Sequence, residues 1–501
     1  MAKVLQSTNH VALKSISIPT SNRVEALRRC LLSYAAGLEK QSRDTAIVVA
    51  DDSKRPEINQ GYKELLRSIG SRYGLAVLYA GIPEKLAFVN RLLKTTGAPA
   101  DVLKFGLFDS GKTGLPTYGA NRNALLLQNA GEAFLSVDDD TVYQPGTLGR
   151  IEAGYRDVCE ERFSESYPCE VIITGSRDQA LGTLTYGEMD VLAHHESVLG
   201  RSLSDQHCPQ SEPGKLPAGG VKISFNGVAG DCGWPSSFIQ LLFTGSSLDR
   251  LVESNEIYTT ARGSRYGVRA VTKACLGQVM NAPGMFAAFD NREFLPPFFP
   301  VGRGEDVIYW NTVVKCCGPK SFAFIPPVLL HLPIEHRSYS AEERKQVRVG
   351  FDLFMLLLAL VRSGPQVNPE TLPAQRFQQL ARHLIQIGQL TPREFRDLVR
   401  WEIGNEAQAL ADHLAAQTES RPRASEEWKG DVAQAVKAIR HYAKNPEPLV
   451  PADLSSHQEF EAAALVQRLI FLFGQLLQYW PAIMTETQLL RSNGQSIAHR
   501  L

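Results

Sequence analysis

Short apolar runs alternate with amphipathic stretches through the first third of the chain, and this alternation sets the expected order of elements. Residues 13–18 read as a strand, followed by the turn PTSNR. Residues 26–38 read as a helix with Leu27, Cys30, Leu31 and Tyr34 on one face. A second strand over 46–50 ends in Asp51 and Asp52, and a helix near 61–70 leads to a third strand over 75–79. A helix over 85–93, a strand over 102–108 and a helix over 121–129 follow. The apolar run 133–137 is then a buried strand that stops abruptly at Asp138, Asp139 and Asp140. Strands separated by single helices predict βα units and a largely parallel sheet. Right-handed crossovers put successive strand ends on one rim, so the acidic ends at 51–52 and 138–140 are expected to line a common crevice.

Residues 144–290 are less regular and rich in Gly, Ser and Pro, including the loop SDQHCPQSEPGKLPAGG, with strands expected over 171–174 and 221–225. The polar turn VGRGED leads into a helix over 307–316, and a strand over 322–332 contains His331. From about 338 helical periodicity takes over, near 341–362, 373–387, 392–416, 427–443 and 455–485, with TESRPRASEEW as an exposed link. This predicts a separate helical domain or a long helical extension. Its apolar stretch 464–477 is expected to be buried against other helices.

Three adjacent carboxylates repel one another unless a cation or solvent compensates them. At the carboxyl end of a sheet strand the triplet points to a divalent metal site, against the plainer reading of an acidic turn. Composition narrows the rest. The 501 residues favour two or more domains. Lys plus Arg and Asp plus Glu are both 53, so bulk charge gives no footprint for nucleic acid. The eight cysteines include no CxxC, and His207–Cys208 are the sole His-Cys neighbours, which predicts reduced thiols in a cytoplasmic protein. The first residues lack the apolar core of a signal peptide, and the apolar run 351–361 is too short to span a membrane.

Five segments occur in order: SISIPTSNRVEALRRCLLSY, IVVADDS, YGANRNALLLQNAGEAFLSVDDD, GRGEDVIYW and LLHLP. Together they resemble the family-2 type of nucleotide-sugar glycosyltransferases with the GT-A fold, over roughly residues 13–336. The resemblance implies an α/β/α sandwich with a mostly parallel central sheet in residues 1–337. The nucleotide half would be about 13–143 and the acceptor half about 144–337, followed by a helical domain of unassigned role over 338–501.

Carried over by position, the resemblance places Pro19, Thr20 and Arg23 beside the nucleotide. Asp51 or Asp52, with Asp52 preferred, would accept a hydrogen bond from the base imide; the plain alternative is a cap on the next helix. Arg122 would lie near the donor, or else in an ordinary salt bridge. Asp138 and Asp140 match the D-x-D positions. Asp140 would ligate Mn²⁺ or Mg²⁺ on the diphosphate, Asp138 would contact ribose or the metal shell, and Asp139 would point away. His331 would be a further metal ligand, with His336 as its competitor. Asp306 would be the general base and Glu305 would orient the acceptor, the alternative being a helix amino-terminal cap. Trp234 and Trp310 are either sugar platforms or core, and Arg262 and Arg265 are candidates to close over the diphosphate.

The implied reaction is inverting transfer of a sugar, UDP-linked by expectation, to a hydroxyl on a glycan, lipid-linked glycan or protein. The helical region would then serve as a homodimer interface, a protein or glycan grip, or a peripheral contact at the inner face of a membrane. Three other classes compete, one of them a nucleotidyltransferase with a similar sheet, for which a Gly-rich phosphate loop near the first strand is absent. Asp138, Asp140 and Val142 also satisfy the nucleophile pattern of haloacid-dehalogenase-type phosphatases, and a non-catalytic nucleotide-binding scaffold would keep the fold without the chemistry.

Overall fold

The computed structural model describes residues 11–108, 113–158, 161–201, 220–278, 281–345, 347, 349–366, 368 and 371–501. His207 and Cys208, and most of the 204–220 loop, lie outside the described residues. The first third builds βα units in the expected order: β1 (Leu13–Thr20), α1 (Val24–Lys40), β2 (Ala46–Asp51), α2 (Pro56–Tyr73) and β3 (Val77–Ala80). Three helices follow, α3 (Ile82–Leu92), α4 (Ala100–Leu107) and α5 (Tyr118–Gln128), and then β4 (Ala133–Val137). β1 pairs in parallel with both β2 and β4, and β2 with β3. The chain therefore moves outward from β1 through β2 and β3, then returns to the other side of β1 as β4. That reversal makes the carboxyl ends of β1 and β4 a topological switch point, where open α/β sheets form their ligand crevice.

The second half extends the sheet with β5 (Thr141–Thr147), β6 (Tyr155–Val158), β7 (Glu170–Ile173), β8 (Thr185–Tyr186), β9 (Ile223–Asp231), β10 (Tyr266–Ala270), β11 (Ala274–Gly277), β12 (Phe286–Asp290) and β13 (Phe322–His331). The central order is β3-β2-β1-β4-β12-β9-β13. β12 runs antiparallel to β4 and β9, while β9 and β13 are parallel. All these central strands except β12 therefore share one direction, and the chain is mixed α/β with a mostly parallel centre and antiparallel margins. β4 is buried along its whole length, which explains an apolar run broken only by Ser136.

The stretch expected as a strand over 102–108 is instead helix α4. A short apolar run does not distinguish the two forms, and the deciding signals are local: Pro99 precedes the helix and Asp101 sits in its first turn. Helix α5 is buried on nearly every side, polar Asn121, Arg122 and Asn123 included. Gly119 permits this. A Cβ there would stand 1.9 Å from the Phe299 carbonyl oxygen, so only glycine lets the helix start seat against that segment.

The stretch expected as helical over 341–362 holds two separate helices, Ala341–Lys345 and Leu353–Arg362, and the region continues as Pro373–Gly388, Pro392–Glu419, Glu426–Lys444 and Glu459–Ser492. It is not packed as an independent unit. One apolar core runs from Phe134 and Phe289 in the sheet through Trp310 to Phe473 and Trp480. Gly388 and Gly474 let two of these helices touch backbone to backbone: a Cβ on Gly388 would stand 2.5 Å from the Phe471 Cβ. The Trp480 indole N–H donates to the Leu295 carbonyl at 2.7 Å, and Arg491 pairs with Glu132 at 2.6 Å. A last strand, β14 (His499–Arg500), pairs with β3. Among the described residues, Glu459–Ser492 is the one helix long and apolar enough to cross a membrane, yet half of its apolar window is buried in protein.

Candidate active site

The carboxyl ends of β1, β2 and β4 gather most of the singled-out side chains. At the end of β2 the two aspartates diverge. Asp51 is fully buried and accepts from the Ser53 N–H, Asn59 Nδ2 and Tyr79 Oη at 2.6–2.7 Å, so its carboxylate is spent inside the fold. Asp52 is half-buried at the crevice and accepts from Lys85 Nζ and Thr117 Oγ1. Lys85 is wholly buried and also donates to Asn121 Oδ1 at 2.6 Å. Asn121 in turn donates to the carbonyls of Thr20 and Ala50, stapling β1 to β2 at their ends. Sequence reasoning passed over Lys85 and Asn121. Lys85 reads as one cation on an amphipathic helix, and only its total burial sets it apart.

The acidic triplet splits three ways. Asp139 is buried, accepts from Thr20 Oγ1 at 2.7 Å and pairs with Arg23 at 2.6 Å. Burial, the largest effect, pushes its carboxyl up to about 7 against the pull of Arg23. Asp140 takes the other arm of Arg23 at 2.7 Å and faces His331 Nε2 at 3.2 Å. Burial raises its pKa, but His331 and Arg23 outweigh that and hold it below the usual carboxylate range. Asp138 turns away and pairs with Arg122 at 2.8 Å.

His331 ends β13. Its Nδ1 lies 2.6 Å from the Asp231 carbonyl oxygen, which can only accept, so Nδ1 carries the proton. The ring is thereby fixed with Nε2 toward Asp140, the arrangement that orients a metal-ligating histidine. His336, the competitor, is exposed and stands edge-on to Tyr266 at 5.3 Å.

The expected metal set of Asp138, Asp140 and His331 is brought together in part. Among the described residues no three His, Cys, Asp or Glu side chains are arranged to hold a metal ion. Asp140 and His331 are brought together, while Arg122 draws Asp138 aside. One carboxylate and one imidazole with open positions still fit Mn²⁺ or Mg²⁺, which commonly complete their coordination with phosphate oxygens and water.

Arg122 is also not an open donor-side cation. It is buried, with Nε 3.3 Å from Glu305, Nη2 on Asp138 and Nη1 3.4 Å from Ser136 Oγ, so it bridges the D-x-D strand to the Glu305–Asp306 pair. Glu305 and Asp306 open the helix Glu305–Cys317. Gly304 precedes them at φ 75°, a left-handed turn that suits glycine. Asp306 accepts the Gly284 N–H at 2.9 Å and the Val307 N–H at 2.8 Å. Burial raises the pKa of both acids, Glu305 further through Asp306, and Arg122 opposes the shift in each. Burial raises the pKa of Glu165 as well, with Arg269 opposing the shift and Asp306 adding to it.

Other candidates fall away from the crevice. Trp310 is core, with its indole N–H donating to the Ala282 carbonyl at 2.8 Å, and Trp234 is buried against Phe243. Arg262 is buried between Asp431 and the Ser237 and Arg344 carbonyls, so it ties the helix Asn255–Gly263 to the helical region. Arg265 is committed to Asp231 at 3.1 Å.

No protein-family model matches the chain, and no curated protein matches it.

Proposed function

We propose that the chain is a metal-dependent, inverting glycosyltransferase of the GT-A type that uses a nucleoside-diphosphate sugar, UDP-linked in the first instance. The observation that carries this reading is the apposition of Asp140 and His331 Nε2, 3.2 Å apart at the switch-point rim, joined through Asp138 and Arg122 to the Glu305–Asp306 pair. It accounts together for the acidic triplet, the histidine after β13 and the acidic start of the helix Glu305–Cys317.

Asp140 and His331 would hold Mn²⁺ or Mg²⁺, which as a Lewis acid stabilises charge on a departing diphosphate. Asp52, tethered by Lys85 and Thr117, faces the nucleotide side and accepts a base N–H. Thr20 and Arg23 fix Asp139 and Asp140 in place. Asp306 takes the proton of the acceptor hydroxyl as its oxygen bonds to the anomeric carbon and the bond to the diphosphate breaks. A single displacement of this kind inverts the anomeric centre. Burial raises the Asp306 pKa, which makes its carboxylate a stronger base toward the hydroxyl proton.

Calorimetric titration with UDP, GDP, CMP and dTDP, each with and without Mn²⁺, tests the reading. Manganese-dependent binding of one nucleotide, lost in Asp140→Ala, is expected. Folded protein that binds none of them would end the transferase reading. Binding without transfer or donor hydrolysis would leave a scaffold. A dehalogenase-type phosphatase needs Asp138 as its nucleophile, and the Arg122 link to Glu305 has no part in that chemistry.

A further inference from the structure

Two arginines stand beside the Asp140–His331 pair with no carboxylate of their own. Arg29, on α1, donates through Nη2 to the Leu332 carbonyl and, at 3.5 Å, to the Asp140 carbonyl. Arg177, which opens the short helix Arg177–Gly182, donates through Nη2 to the next carbonyl, Pro333, at 3.1 Å. Among the described residues neither forms an ion pair, and each Nε is buried without a hydrogen-bond partner. The Arg177 guanidinium lies over the Tyr266 ring at 5.8 Å, and the buried Tyr266 hydroxyl also lacks a partner.

Successive carbonyls at the exit of β13 thus draw two guanidiniums to one turn. The two repel: burial is the largest influence lowering the Arg29 pKa, and Arg177 and Arg23 lower it further while Asp140 opposes them. Arg23, Arg29 and Arg177 set three cations against the carboxylates of Asp139 and Asp140. A main-chain carbonyl is a weak return for a desolvated guanidinium, and a charged acceptor is roughly twice as strong.

We propose that Arg29 and Arg177 form a phosphoryl-anion subsite at the exit of β13, beside the Asp140–His331 pair. The planar fork of arginine matches the oxygens of a phosphoryl group, and two forks on adjacent carbonyls suit one tetrahedral anion. Two sources share this chemistry, the diphosphate of a nucleotide and a phosphate on the acceptor. Assigning either rests on the transferase reading, whereas the anion subsite does not.

The test is calorimetric titration of the full chain with inorganic pyrophosphate, without nucleotide and then with UDP and Mn²⁺ at saturation. Arg29→Gln, Arg177→Gln and the exposed control Arg67→Gln are compared, with thermal unfolding to establish that each is folded. Pyrophosphate affinity falling about tenfold in Arg177→Gln and Arg29→Gln but not in the control is expected, the size of one lost charge-assisted hydrogen bond. If UDP affinity falls by the same factor, the donor diphosphate is the occupant. If UDP is unaffected and pyrophosphate still binds over UDP, the occupant is a phosphate on the acceptor. If UDP does not bind at all while the arginine-dependent pyrophosphate site persists, the subsite stands and the transferase reading falls. Folded Arg177→Gln that binds pyrophosphate like the wild type, or a wild type that binds none, overturns the proposal.

Discussion

Gly284 lies directly against Asp306. Its N–H donates to the carboxylate at 2.9 Å, and a Cβ on Gly284 would stand 2.8 Å from the Asp306 Cβ. The neighbouring Met285 carbonyl accepts the Asp138 N–H at 3.1 Å, so one short segment registers the candidate base against the D-x-D strand. Gly284→Ala is therefore expected to displace Asp306 and lower the turnover of sugar transfer or donor hydrolysis on the order of 10²-fold, the known cost of an ångström-scale misplacement. Nucleotide affinity should change less than about threefold, because the nucleotide side is untouched. A parallel loss of nucleotide binding would count against this division of roles.

Arg122 is the buried cation between Asp138 and Glu305. Removing one member of a buried charge network leaves the others uncompensated, so Arg122→Met should cost about 3 kcal/mol of stability in urea unfolding. Glu305→Gln in the same background should recover part of that loss, since it neutralises the carboxylate left unpaired. Two independent, additive losses would show that the bridge is not energetically real.

Asp140→Asn and His331→Gln are expected to weaken Mn²⁺-dependent nucleotide binding by at least about tenfold each, in line with loss of a metal ligand or its supporting partner. Asp51→Asn should spare that binding and lower stability instead, because its carboxylate serves Tyr79, Asn59 and Ser53. Calorimetry with thermal unfolding separates the two effects. His336→Gln serves as a further comparison, since that side chain lies on Tyr266.

His195 gives a pH dependence of stability independent of the crevice. It is fully buried between Ser224 Oγ at 2.8 Å and Asn226 Oδ1 at 3.3 Å, and burial lowers its pKa from 6.5 to about 3. Between those values the unfolded chain binds a proton that the folded chain refuses, so stability falls as pH drops below 6.5. The slope is about 1.4 kcal/mol per pH unit from this one group. His195→Gln should flatten the acid limb of the unfolding free energy relative to wild type, measured by urea titration from pH 7 to 4.

The parts of the fold legible in the sequence were those written in local pattern. β1, β2 and β4 announce themselves as apolar runs ending in chemistry, and the helices after 373 as long amphipathic periods. Helix α4 did not, because ADVLKFGL is apolar enough for either form; the deciding signals, Pro99 and Asp101, sit at its very start, and its apolar face packs on the distant helix Glu459–Ser492. In the site, the neighbourhood of Asp140 and His331 followed from strand order. Lys85, the Arg29–Arg177 pair and the inward turn of Arg122 did not. Each depends on which long cationic side chain meets which oxygen across the fold, a tertiary property that spacing does not encode. Arg262 and Trp234 show the converse, side chains of suggestive chemistry that burial assigns to packing.

The pairing of β14 with β3 gives the molecule a particular order of assembly. During synthesis, the β1–β4 segment emerges well before β14, so the outer hydrogen bonds of β3 wait until the entire helical region has left the ribosome. Until then the sheet carries a raw edge able to pair with another chain. Completion of the last helix and closure of that edge are thus one event. The edge of an early strand is thus protected by residues that lie beyond the whole helical region, so cover for β3 depends on that region being in place.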